Sequence, residues 1–120
     1  MHEFSICARI VDAVQGELSR LDPPAERLLV VRLVVGALHQ IVPEQLAFAY
    51  ETLTGDTPLE GSRLELVVRP VVAQCAECGW VGEIAPPLFR CGDCGAFGAR
   101  AISGTELYLE HLEIETASDH

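Results

Sequence analysis

An α+β fold is predicted for this chain of 120 residues: a small three-stranded sheet packed with two helices, plus an inserted lobe organised by cysteines. Three observations predict it. Apolar side chains recur at helical spacing in two segments, alternate in two more and cover both faces of a fifth. Four of the five cysteines fall in one stretch that lacks either period. Hydrophobic residues make up 49% and charged residues 22%, the balance of a chain that can bury a core.

The first helix is expected over residues 4–21, where Phe4, Ile6, Ile10, Val14, Leu18 and Leu21 form one apolar stripe. Asp22-Pro23-Pro24 should end it, because a proline ring cannot continue a helix and restricts the residue before it. Residues 26–35, rich in Val and Leu on both faces, suit an interior strand that Gly36 interrupts. Pro43 opens the second helix without losing a donor, and Glu44 in its first turn complements the helix dipole. Leu46, Ala49, Tyr50 and Leu53 give that helix its stripe, and Gly55 is placed to stop it. Leu64, Leu66 and Val68 alternate with Glu65 and Arg69 in a half-buried strand ending at Pro70. Residues 71–104 show no convincing periodicity. From Thr105 a last strand runs through Leu107, Leu109, Leu112 and Ile114, and its phase slips at Glu110-His111, which suggests a bulge. Residues 1–70 with 105–116 are therefore expected to form the α+β domain, 71–104 an inserted domain, and 117–120 a loose tail.

The charge is lopsided: eight Arg and no Lys stand against eighteen Asp and Glu, a net charge of −10. Such a surface repels phosphate backbones and anionic headgroups, so no nucleic-acid or membrane partner is expected. No apolar run reaches the roughly 18–20 residues of a bilayer span, and nothing reads as an export signal. The expected compartment is the cytoplasm. Oligomeric state, monomer or homodimer, is open.

The cysteines read C-x2-C-G-x11-C-x2-C-G, as Cys75, Cys78, Cys91 and Cys94. Two intervening residues let a tight turn aim both sulfurs at one point, and two such knuckles supply four thiolates at tetrahedral positions. This is the closed geometry of a structural zinc site, with no coordination position left for substrate. Two disulfides, paired redox thiols and a four-cysteine iron site are the other uses of such a quartet. Cys7 on the first helix reads as a small buried hydrophobe. No GxSxG, catalytic carboxylate pair or open metal site is present, so no enzyme is expected.

Met1-His2-Glu3 opens the chain. By itself a histidine at position 2 reads as a solvated side chain. The alternative is chelation: an α-amine, a deprotonated amide and an imidazole can close rings around one metal. With a second amide they make a four-nitrogen plane that suits Ni(II) or Cu(II).

Together these residues resemble the HypA/HybF family of hydrogenase nickel-incorporation proteins. The resemblance rests on Met1-His2-Glu3, on Val35-Gly36-Ala37-Leu38, and on Pro43 to Glu51. It continues through Leu59-Glu60-Gly61, the two knuckles, and Gly104-Thr105-Glu106-Leu107. It implies a nickel metallochaperone that delivers Ni(II) to the large subunit of a [NiFe]-hydrogenase with a HypB-type GTPase, and in some organisms serves urease. It also implies His2 as nickel ligand, with Glu3 and the terminal nitrogens from Met1 contributing. The zinc ligands it implies are Cys75, Cys78, Cys91 and Cys94. His39 and His111 are candidates for further ligands. The competing reading is a zinc-ribbon scaffold for protein interaction, which predicts one metal per chain and no nickel.

Overall fold

The computed structural model describes residues 2–85 and 89–116, with His2 described by its backbone only. The expected tail at 117–120, and Leu88 of the lobe, lie outside the described residues. The elements are α1 (His2–Ser19), β1 (Ala25–Gly36), a short 3-10 turn (Ala37–His39), α2 (Pro43–Thr54), β2 (Arg63–Arg69), β3 (Val71–Cys75), β4 (Val81–Ile84), β5 (Ala99–Ser103) and β6 (Leu107–Thr116). Two three-stranded sheets result, with strand orders β2-β1-β6 and β4-β3-β5. The described residues divide into two compact units. One comprises the segment up to Leu33, Ile41–Leu66 and the segment from Leu109; the other comprises Val34–Gln40 and Val67–Tyr108.

In the first unit α1 packs against α2. The buried face of α1 is Ile6, Cys7, Ile10, Val11 and Val14, at the spacings that put side chains on one side of a helix. Leu46, Ala49 and Tyr50 form the matching face of α2, joined by Thr54 rather than by the half-buried Leu53. The Thr54 hydroxyl donates to the Tyr50 carbonyl at 2.7 Å, which lets a polar side chain occupy that place. α1 starts two residues earlier than its stripe suggested and stops at Ser19, leaving Leu21 outside the helix and 37% exposed. β1 is the centre of its sheet, and Leu28, Val30, Val31 and Leu33 are all buried on it. That explains why apolar residues occupy both of its faces. In β6 the alternation of burial slips where expected, with Glu110 and His111 both exposed.

The second unit holds strands that the sequence does not announce. Residues 71–104 hold three strands. β3 pairs antiparallel with β4, Val71 opposite Ile84 and Gln74 opposite Val81. β3 also pairs antiparallel with β5, with a register shift between Val72 and Ala73. Strands of four and five residues are too short to print a period on the sequence, and the shift breaks what pattern exists. Pro70 does divide β2 from β3, as a residue without a ladder donor should.

Candidate metal centre

Each knuckle begins where a strand or loop turns back on itself. The Cys75 N–H donates to the Trp80 carbonyl at 2.8 Å, and the Cys91 N–H donates to the Ala96 carbonyl at 2.8 Å, so both turns close five residues on. Gly79 and Gly95, one residue past each pair, have φ of +81° and +78°. That left-handed backbone is open to glycine at little steric penalty, which is why a glycine follows each C-x2-C. The Trp80 ring lies against Gly82 and Gly92, where any side chain would collide with it.

The four Sγ atoms of Cys75, Cys78, Cys91 and Cys94 all lie within 4.8 Å of one another. Sγ of Cys75 is 3.7 Å from that of Cys94, and Sγ of Cys78 is 3.5 Å from that of Cys91. A tetrahedron with Zn–S of about 2.3 Å has edges of about 3.8 Å, so the donor set has the size and chemistry of a four-thiolate metal site. The sulfurs are not equivalent. Cys75 and Cys91 are 2% and 3% exposed, while Cys78 and Cys94 face solvent. Sγ of Cys75 accepts from the Glu77 N–H at 3.4 Å, and Sγ of Cys91 accepts from the Asp93 and Cys94 N–H groups at 3.3 Å each. For the Cys91 thiol, desolvation opposes ionisation, but these N–H donors and the Cys78 and Cys94 sulfurs outweigh it and lower its pKa to about 6. Cys78 receives help from the Trp80 N–H, but the neighbouring Cys91 sulfur and burial win and push it up to about 12. One proton shared across a 3.5 Å sulfur pair accounts for the opposite directions. Beside the second knuckle, the Arg90 guanidinium donates to the Gly95 carbonyl at 3.2 Å and sits 5.7 Å from the Phe97 ring centre.

The other predicted residues are scattered. Met1 and the His2 side chain lie outside the described residues. Glu3 is 3% exposed, an unusual position for a carboxylate, and its Oε2 accepts the Val42 N–H at 3.2 Å. Val42 is the residue that precedes α2, so Glu3 ties the first turn of α1 to the start of α2. Phe4 reinforces the junction, its ring meeting Phe48 edge-on with centres 6.2 Å apart. The sequence alone carried no signal for this role of Glu3. Cys7 is fully buried, and burial raises its thiol pKa from 9.0 to about 11. His39 Nε2 lies 3.0 Å from the Thr105 carbonyl, and His111 Nε2 lies 3.2 Å from the Glu113 carboxylate. Among the described residues, the four cysteines are the one group of three or more His, Cys, Asp or Glu side chains gathered closely enough to hold a metal.

A small α+β chain with one closed four-thiolate cluster belongs to the class of metal-binding proteins in which the metal supports the fold. Comparison with known proteins makes this specific. The chain belongs to the HypA family, described as hydrogenase/urease nickel incorporation, metallochaperone, whose family model matches residues 1–114. It is 36% identical over 115 residues to the hydrogenase maturation factor HypA of Geobacter metallireducens, covering 96% of this chain and all of that one. It is 34% identical over 119 residues to that of Solidesulfovibrio magneticus, with the same coverage. The solution structure of the Ni metallochaperone HypA from Helicobacter pylori shares the fold, with a TM-score of 0.63 at 19% identity over 95% of this chain and 97% of that one. A second HypA solution structure gives 0.65 at 21% identity, over 95% and 96%. The family is one of metallochaperones in hydrogenase maturation, not of enzymes. No helix among the described residues is long and apolar enough to cross a membrane.

Proposed function

We propose that this chain carries Ni(II) at its N-terminus, on His2 with Glu3 and the backbone nitrogens that begin at Met1. A structural zinc held by Cys75, Cys78, Cys91 and Cys94 stays in place. The nickel passes to the large subunit of a [NiFe]-hydrogenase through a HypB-type GTPase, in the cytoplasm, and the family's link to urease makes that a second acceptor. Residues 1–70 with 105–116 are assigned to nickel, and 71–104 to zinc. The observation that carries the reading is the family match over residues 1–114, which includes both the terminus and the knuckles. Two physical points support the residue assignment. Buried Glu3 holds the first turn of α1 against α2, so a chelating terminus is anchored one residue from His2. The closed sulfur cluster leaves no site for a travelling metal, which must bind elsewhere. Nickel release should accompany acidification, because imidazole and amide nitrogens bind only when deprotonated. Metal analysis of untagged protein after nickel loading tests the reading. It predicts one tight zinc and one more weakly held nickel per chain. One metal and no nickel would support the scaffold reading instead.

A further inference from the structure

The two cysteines of each knuckle differ in a way that structural zinc binding does not require. Both receive backbone N–H groups, but the first is buried and the second is exposed to solvent. Each exposed sulfur faces a buried sulfur of the opposite knuckle, Cys78 to Cys91 at 3.5 Å and Cys94 to Cys75 at 3.7 Å.

We propose that the cluster is an oxidation site for hydroperoxides, which it converts into two disulfides running between the knuckles, Cys78–Cys91 and Cys75–Cys94, with release of the metal; this rests on the four-thiolate zinc reading above. With the metal bound all four sulfurs are thiolates, and that of the exposed cysteine reacts first because oxidant reaches it. The Cys78 sulfur attacks the peroxide O–O bond. One oxygen stays on sulfur as a sulfenic acid, and the other leaves as hydroxide or alkoxide. The Cys91 thiolate then attacks that sulfur, the S–S bond forms, and hydroxide leaves. Two sulfurs have supplied the two electrons that reduce one O–O bond. Cys94 and Cys75 repeat the sequence with a second peroxide, and the metal is left without ligands.

Geometry directs the pairing. The turns are held by the bonds from Cys75 N–H to Trp80 O and from Cys91 N–H to Ala96 O, and the close sulfur pairs, at 3.5 and 3.7 Å, run between the knuckles. The attacking sulfur of the other knuckle is already within van der Waals distance. The disulfides therefore keep the two knuckles together after the zinc has gone, and a thiol reductant restores the site. Cys7, fully buried on α1, takes no part.

The chain itself makes the test clean. It has no Lys, and Arg69 precedes Pro70, where trypsin does not cut. Trypsin therefore leaves Cys75 and Cys78 together on peptide 64–90, and Cys91 and Cys94 together on peptide 91–100. Zinc content of the purified full-length protein is measured first. Hydrogen peroxide is then added at two equivalents, zinc release is followed with a colorimetric chelator, and unreduced peptides are read by mass spectrometry. The proposal expects one zinc freed per chain and the two peptides joined. Cleavage after Glu77 and Asp93 should then show Cys78 bonded to Cys91 and Cys75 bonded to Cys94. Separate peptides, each lighter by two hydrogens, would mean disulfides within the knuckles and overturn it. Zinc retained under peroxide, or sulfinic acid at Cys75 or Cys91, would overturn it equally. Protein purified without zinc would remove the zinc reading alone, since the same mapping on the metal-free thiols still decides the pairing.

Discussion

Replacing Glu3 tests whether a buried carboxylate anchors the N-terminal turn. Its Oε2 accepts the Val42 N–H at 3.2 Å in a place only 3% exposed, so water cannot substitute for it. A hydrogen bond to a charged group contributes about 1.5–3 kcal/mol, and an acidic group at the start of a helix such as α2 adds about 0.3–1. Glu3→Ala removes both and should destabilise the fold by about 2–4 kcal/mol. With an unfolding entropy of about 2.1 cal/mol/K per residue, a chain of 120 residues has roughly 0.25 kcal/mol/K, so Tm should fall by about 8–16 °C. Glu3→Gln keeps an acceptor and loses the charge, so about 1 kcal/mol and roughly 4 °C are expected. Thermal unfolding followed by circular dichroism reads both variants at one pH and salt. A Glu3→Ala midpoint within 2 °C of wild type (about 0.5 kcal/mol) would show that this bond does not hold the terminus. Nickel calorimetry on the Gln variant separates the ligand role, because that variant keeps the anchor.

Three further outcomes follow from the packing. In Gly36→Ala the new Cβ would collide with the Gly104 carbonyl and lie 2.6 Å from the Thr105 nitrogen. It would strain the bonds from Gly36 N–H to Glu106 O (2.7 Å) and from Leu38 N–H to Gly104 O (2.9 Å). A loss of about 2–5 kcal/mol in urea unfolding is expected, whereas Gly16→Ala, in open space on α1, should gain about 0.5–1. Stripping zinc with a chelator should abolish amide-exchange protection at Ala73 and Cys75 on β3 and spare Val14 and Leu33, because metal binding of order 10 kcal/mol orders so small a lobe; unchanged β3 protection would contradict this. Cys7 should resist iodoacetamide in the folded protein at pH 8. Its folded pKa of about 11 lies above the ordinary 9.0, so the stability it contributes is complete below pH 9 and is lost as pH rises toward 11. Rapid labelling of native Cys7 would show that α1 opens.

What was legible in the chain was local. Pro43 with Leu46, Ala49 and Tyr50 announces α2 because start signal and stripe fall within eight residues. The four-cysteine cluster is legible for the same reason, since a C-x2-C-G turn encodes its own geometry in five residues. The β4-β3-β5 sheet was not legible: β3 has five residues, its register with β5 shifts at Val72/Ala73, and its pairing lies mostly in backbone bonds. The anchoring of Glu3 was hidden by distance, its partner Val42 standing 39 positions away. Cys78 and Cys94 could be named as ligands but not as the exposed pair, because burial depends on how the two knuckles meet. Nickel chemistry was suggested by three residues whose meaning depends on the family to which the remaining chain belongs.

Nickel titration by calorimetry of untagged, zinc-loaded protein, with His2→Ala beside it, tests the terminal nickel site directly. One nickel per chain is expected for wild type, with an affinity that falls at least tenfold for His2→Ala while zinc content and Tm do not change. Equal nickel affinity in the two proteins would contradict the terminal site and with it the assignment of cargo binding to the first three residues.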